Sequence, residues 1–374
     1  MKRIALLGLA VMTVAMSYAQ GISGTWKGML NAGNQKLEIV FHFDPSKDGG
    51  GAATMDVPAQ SAMGIPVRLN LLSADSVSLD VLALLMEYTG KLNNGVITGT
   101  FRQFGVAFPL ELKAGDAGKP NRPQEPESPL GYKTEEVTFT NQKAHVSLAG
   151  TLTYPVNYTP DKKVPVVIMV TGSGAQNRDE EVFAHKPFRV IADYLAKQGI
   201  ASLRYDDRGV GQSTGNQAGC TSADFAEDAA CGLSWLKSSG KFNQVGILGH
   251  SEGGLIAFML GAEGKADFLV SMAGPGIKGD SLLVEQQNAL FKLKGIPSNV
   301  SVSTLRKSMA TQPGNVWLEY FMDYDPRPDL ERITIPVMAV NGSNDMQVLS
   351  DSNISAIRNC LSGMVILSRS GRGS

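Results

Sequence analysis

Cysteine, histidine and net charge are all scarce in this chain. Only three cysteines occur in 374 residues: Cys220, Cys231 and Cys360. An odd, low count is not a disulfide framework. Cys220 and Cys231 are eleven positions apart. With Cys231 in a predicted helix, that spacing separates them by roughly 15 Å, whereas a disulfide needs Cα atoms within about 7 Å. All three therefore read as small buried hydrophobes. The formal net charge of −1 supplies no basic footprint for nucleic acid and no polybasic patch for a membrane. The four histidines form no cluster with Cys or Asp at metal-ligand spacing, so the reading calls for no metal or other cofactor.

What is present is enough for a large core. Hydrophobic residues make up 43% of the chain, which argues against disorder. The length suits two domains, or one large domain with an appendage. The first residues differ in kind. Lys2 and Arg3 precede an uncharged apolar run from Ile4 to Met16, and Ser17-Tyr18-Ala19 places small residues where a signal peptidase reads. This predicts a leader over 1–19, cleaved after Ala19, and a secreted or periplasmic protein. The run is shorter than the about 20 residues of a membrane span, so no stable membrane insertion is expected after cleavage.

Residues 20–113 read as a small antiparallel β domain, on the model of a barrel. Leu37–Phe43 is β-rich, and Asn93-Asn94-Gly95 is a turn signal before Val96–Phe101. Pro120, Pro123, Pro126 and Pro129 then mark an extended linker over 114–130. From residue 131 to the last residue, strands and helices alternate. Val164–Val170 is a continuous apolar run, as a strand buried on both faces requires. A helix follows with Phe188, Ile191, Ala192 and Leu195 on one face, stopped by Gly199. Thr221 and Asp224 resemble a capping box for the next helix. Further strands are predicted at 200–205, 245–248, 268–272, 335–340 and 364–367. The fold class is α/β, a mostly parallel sheet with helices on both faces behind a β domain. Residues 276–332 interrupt the alternation with an apolar helical stretch suited to a cap.

The pattern Gly-x-Ser-x-Gly occurs at Gly211–Gly215 and at Gly249–Gly253. Context separates the copies. A nucleophile elbow needs a buried strand before the serine and a helix after it. Ser251 has Val245–Leu248 before it and an apolar helical run after it, whereas Ser213 leads into a polar loop. Ser251 is therefore the predicted nucleophile. The N–H of Glu252, at the helix start, is placed to bind an oxyanion. The elbow turns the Glu252 side chain away from the seryl oxygen, and His250 reads as structural. Thr171-Gly172-Ser173-Gly174 ends the Val164 strand, and small residues there let backbone approach a substrate. The second oxyanion donor is the N–H of Ser173, with Gly174 as the alternative.

In a chain with such an elbow the order is Ser, then an acid, then His. Asp345 follows the Ile335 strand directly and is the predicted acid, ahead of Asp323, Asp325 and Asp351. The base should be a histidine further on. His42, His145, His185 and His250 all precede Asp345. A truncated or frame-shifted reading frame would produce that pattern; a rearranged site using His185 is the other option.

Four motifs in this order, Gly172–Asp179, Tyr205–Ser213, Gly249–Gly254 and Asn341–Asp345, resemble those of bacterial α/β hydrolases with an N-terminal β domain, related to esterases and to the dienelactone-hydrolase and acyl-thioesterase relatives. The resemblance covers nearly all of the chain after the leader. It implies Ser251 as nucleophile, Asp345 as acid and a structural role for the Arg208–Ser213 loop. The expected function is hydrolysis of a small-molecule carboxylic ester through an acyl-enzyme, impaired where the histidine is missing. The same chemistry on a thioester or peptide bond is one alternative. A catalytically inactive extracytoplasmic binding protein is another.

Overall fold

The alternation of strand lengths and turns in the first third of the chain produces a meander. In the computed structural model the chain divides into two units, Met1–Arg122 and Pro123–Ser374. The structure describes residues 21–361, except 33–34, 45–50, 61, 82–83, 104, 116–121, 183–184, 294, 298 and 310–314, together with the backbone of 365–370. The predicted leader lies outside the described residues. Among those residues no helix is long and apolar enough to cross a membrane.

The first unit is a closed barrel of eight antiparallel strands: β1 (Gly24–Ala32), β2 (Gln35–Asp44), β3 (Ala52–Val57), β4 (Ala62–Leu72), β5 (Ser76–Val81), β6 (Met86–Asn93), β7 (Val96–Gln103) and β8 (Val106–Ala114). Pairing of β1 with β8, Trp26 opposite Ala114, closes it. Asn94 and Gly95 both have positive φ, 48° and 78°. They form the two-residue turn whose twist matches flanking strands, at the place the Asn-Gly signal predicts. An eight-stranded barrel has an interior just wide enough for side chains. Here Phe41, Met55, Tyr88, Ile97 and Leu112 are buried. The rings of Phe41 and Tyr88 stack at 5.5 Å, and the Tyr88 hydroxyl donates to the Leu110 carbonyl at 3.2 Å.

The second unit is built on an eight-stranded sheet. Its elements are β9 (Thr134–Asn141), β10 (Val146–Thr153), β11 (Val164–Val170), α1 (Pro187–Lys197), β12 (Ala201–Tyr205), α2 (Ser222–Ser238), β13 (Phe242–His250), α3 (Glu252–Ala262), β14 (Leu269–Met272), α4 (Gly279–Leu293), α5 (Val302–Met309), α6 (Val316–Asp323), α7 (Arg327–Arg332), β15 (Val337–Gly342), α8 (Ser350–Cys360) and β16 (Val365–Ser370). The strand order is β16-β15-β14-β13-β11-β12-β10-β9. All neighbours are parallel except β10, which runs antiparallel to both β9 and β12.

Alternate residues of β11 face opposite layers, which is why the whole strand is apolar. Val167 and Met169 pack with Phe188 and Ala192 of α1. Val166, Ile168 and Val170 share a core with Leu233 of α2 and Ile256 of α3. Helix α1 starts at Pro187, where the missing N–H costs nothing, and ends before Gly199 at φ 83°. The Asp224 carboxyl accepts the Thr221 N–H at 2.8 Å and completes a capping box for α2.

Strand β16 runs past the predicted end at residue 367, and residues 368–370 pair with Val340, Asn341 and Gly342 of β15. Leu290 and Leu293 of α4 are exposed. The helical stretch 276–332 divides in two. Leu330 of α7 belongs to the main core, whereas Leu282 of α4 and Phe321 of α6 form a separate cluster with Val348. The three cysteines are free thiols.

Candidate active site

Strands β11 and β13 are parallel neighbours, yet the chain leaves them in opposite directions across the sheet. From β11 it passes through α1 to β12 on one side; from β12 it returns through α2 to β13 on the other. At such a switch point the loops beyond the two carboxyl ends diverge and leave a crevice. The loop beginning at Thr171 and the turn at Ser251 both open into it.

Ser251 has φ 51° and ψ −117°, a region that costs about 1–3 kcal/mol for a residue with a side chain. Its N–H donates to the Met272 carbonyl at 2.9 Å. The flanking glycines are sterically required. A Cβ on Gly249 would lie 2.0 Å from the Gly253 carbonyl oxygen, and one on Gly253 would lie 2.1 Å from that of Val170. Spacing and strain therefore agree with an elbow at Ser251. Ser213 is occupied elsewhere: its buried hydroxyl donates to the Asp206 carbonyl at 2.7 Å and accepts the Ala149 N–H at 2.9 Å.

A cavity of about 650 Å³ lies in front of Ser251. Gly172, Ser173 and Glu180 line it from the β11 loop, His185 from the approach to α1, Leu282 from α4, and Trp317 and Phe321 from α6. Among the described residues, the N–H groups of Ser173 and Glu252 have no acceptor. The Gly172 N–H is taken, because it donates to Glu180 Oε1 at 2.7 Å.

The β11 loop is held by two carboxylates that sequence reasoning did not single out. Asp207 accepts the Thr171 hydroxyl and the Gln176 N–H, both at 2.9 Å, so it grips the loop at each end. Burial pushes the Asp207 carboxyl up to about 7 against those two hydrogen bonds, with the charges of Glu252 and Glu180 adding to the rise. Glu180 is buried, adopts a left-handed φ of 52°, and holds His250 Nδ1 at 2.8 Å as well as the Gly172 N–H. The segment around it is anchored by Arg178, bonded to Asp206 and Thr151 at 2.7 and 2.8 Å, and by the Asp179–Arg204 pair. The sequence signals were the run of polar and charged residues Gln176–Glu181 following a buried strand and, for Asp207, its place in the Tyr205–Ser213 motif.

His250, read from sequence as structural, lines the cavity beside Ser251. Burial pulls its imidazole down. The hydrogen bond and charge of Glu180, with the field of Asp345, outweigh burial and hold it above its ordinary value. Asp345 follows β15 as expected, and its Oδ1 accepts the N–H groups of Gln347 and Val348 at 2.9 and 3.0 Å. Its Oδ2 has no partner among the described residues. Asp345 borders an adjacent recess with Glu285 and Leu349, while Gln347 and Val348 of the same loop line the Ser251 cavity. The Glu252 carboxyl is turned away from Ser251, accepting from Ser222 and Trp317. No group of His, Cys, Asp and Glu among the described residues is arranged to hold a metal ion.

Residues 186–311 match the serine aminopeptidase S33 family model. Esterase EstD of Thermotoga maritima is 31% identical over 231 residues, 59% of this chain and 54% of that protein. The chain has the α/β-hydrolase fold. It spans about half the length of EstD. Among solved structures, the esterase Pf2001 of Pyrococcus furiosus is 18% identical, with 65% of this chain and 82% of that chain covered and a TM-score of 0.46. A dienelactone hydrolase from Anabaena variabilis is 16% identical, with 65% and 88% covered and a TM-score of 0.41. The matched region includes the Ser251 turn, α3, α4 and α5.

Proposed function

We propose that this chain is a secreted or periplasmic serine carboxylesterase acting on small neutral esters. The observation that carries the reading is a strained serine at a strand-to-helix elbow, facing a cavity lined by Ser173, whose N–H, like that of Glu252, has no acceptor among the described residues. In the first step Ser251 Oγ attacks the ester carbonyl carbon and its proton passes to a base. The N–H groups of Ser173 and Glu252 receive the negative oxygen. The carbonyl re-forms, the bond to the alcohol breaks, and the alcohol leaves with the proton. Water then attacks the acyl-enzyme and releases the acid. Asp345, with one carboxyl oxygen unpaired, orients the base. Such a mechanism requires no metal or cofactor.

The base is the open element. No histidine follows Asp345 in these 374 residues, and the two that line the cavity are His185 and His250. Hydrolysis of p-nitrophenyl acetate and butyrate tests both points, using this chain and one continued through the natural downstream codons, each with a Ser251→Ala control. Activity confined to the continued chain assigns the base to residues beyond 374. Activity of this chain that is lost in Ser251→Ala and in His250→Gln or His185→Gln assigns it to that histidine. Activity untouched by Ser251→Ala overturns the proposal.

A further inference from the structure

The residue after the nucleophile does something its backbone role does not require. Glu252 is 2% exposed. Its Oε1 accepts the hydroxyl of the fully buried Ser222 at 2.5 Å and the indole Nε1–H of Trp317 at 2.8 Å. Withdrawing a carboxylate from water costs several kcal/mol unless donors replace the water. The elbow therefore carries a buried carboxyl group whose partners are a helix start and one side chain of α6. The contact fixes the plane of the indole. Phe321, one turn further along α6, lies nearly parallel to it, with centroids 5.3 Å apart and an interplanar angle of 20°. Trp317 and Phe321 both line the Ser251 cavity.

We infer that this cavity takes esters bearing a flat aromatic ring, stacked on Trp317, and that Glu252 is the positioning residue that sets the indole for it. The inference rests on the cavity being the ester site. The chemistry separates a ring from a saturated chain. A saturated chain needs an apolar wall of any orientation, which Leu282 and Leu283 already provide. An aromatic ring gains about 0.5–1.5 kcal/mol beyond buried area when it meets another ring at the right offset and angle. Only that gain depends on a fixed indole plane. Among the described residues no lysine or arginine lines the cavity, so the ring-bearing ligand it suits is neutral.

The test measures binding, not turnover. The full chain carrying Ser251→Ala is titrated with methyl benzoate and with methyl butyrate by ligand-observed NMR. Methyl benzoate is expected to bind more tightly. Adding Trp317→Leu is expected to weaken it roughly 3- to 10-fold while leaving methyl butyrate unchanged. Glu252→Gln keeps an oxygen for the indole N–H and is expected to retain the preference. Glu252→Leu is expected to lose it with Trp317 still in place. Equal loss for both esters on Trp317→Leu, or no loss for methyl benzoate, overturns the inference. If Trp317→Leu does not fold, the Glu252 pair decides by the same criterion. Because these proteins lack the nucleophile, a preference that survives alongside failed p-nitrophenyl ester turnover sinks the catalytic reading alone. Turnover without the preference sinks this inference alone.

Discussion

Asp207→Asn should make the second unit more resistant to alkaline conditions. The Asp207 carboxyl titrates at about 7 in the fold against an ordinary value of 3.8. The protonated form is the one the fold favours. The contribution of Asp207 to stability should therefore decline as pH rises from about 4 to about 7, and then level off. The difference between the two values corresponds to about 4 kcal/mol at the plateau. Asparagine is the same size and cannot ionise. Its carbonyl can accept the Gln176 N–H, and its amide can donate to the Thr171 hydroxyl, which rotates to accept. The assay is the urea dependence of hydrogen exchange at amides of β11 and β13, which follows this unit alone, at several pH values from 5 to 8. The stability of the variant relative to wild type should grow by about 2–3 kcal/mol across that range. Glu180 and Glu252, the acidic neighbours, are present in both proteins. A difference that stays constant with pH would refute the reasoning, because it would mean that Asp207 ionises as freely in the fold as in water.

Further outcomes are expected at other sites. Ser251→Ala should reduce ester turnover to background while leaving the far-ultraviolet circular dichroism unchanged. Glu180→Gln should lower the His250 pKa seen in imidazole proton NMR titrations. The raised value in wild type means that the stabilisation from protonated His250 is fully present below its unfolded value and is lost as pH rises through its folded value; the variant should lose that pH dependence. A His250 titration unaffected by Glu180→Gln would contradict the 2.8 Å contact. Asp228→Ala should destabilise the second unit by about 3–5 kcal/mol. It strands Arg208, whose guanidinium bonds both Asp228 oxygens at 2.6 and 2.8 Å with both side chains buried. Urea unfolding measures this, and a cost below about 1 kcal/mol, the level of an exposed pair, would be inconsistent with that burial.

Features written into short stretches of chain were legible in advance. The run Val164–Val170 announced a strand covered on both faces, and Asn94-Gly95 announced a hairpin turn. Ser251 was separable from Ser213 because strand, turn and helix signals all lie within about ten residues of it. Closure of the barrel was only suggested, since it depends on Trp26 meeting Ala114, at opposite ends of that unit. The β16 extension was missed because Ser368, Arg369 and Ser370 carry no strand pattern; the backbone of β15 recruits them.

The amino-acid sequence by itself determined the α/β architecture and the elbow, because hydrophobic period, glycine spacing and turn chemistry act between near neighbours. Only the tertiary structure decided what surrounds the serine. Glu180 meets His250 across 70 positions, Asp207 meets Thr171 across 36, and Glu252 meets Trp317 across 65. None of these pairs has a local signature. Each carboxyl group is acceptable at its place only because the fold brings a hydrogen-bond partner to it, and that match between buried polar group and distant partner is a property of packing.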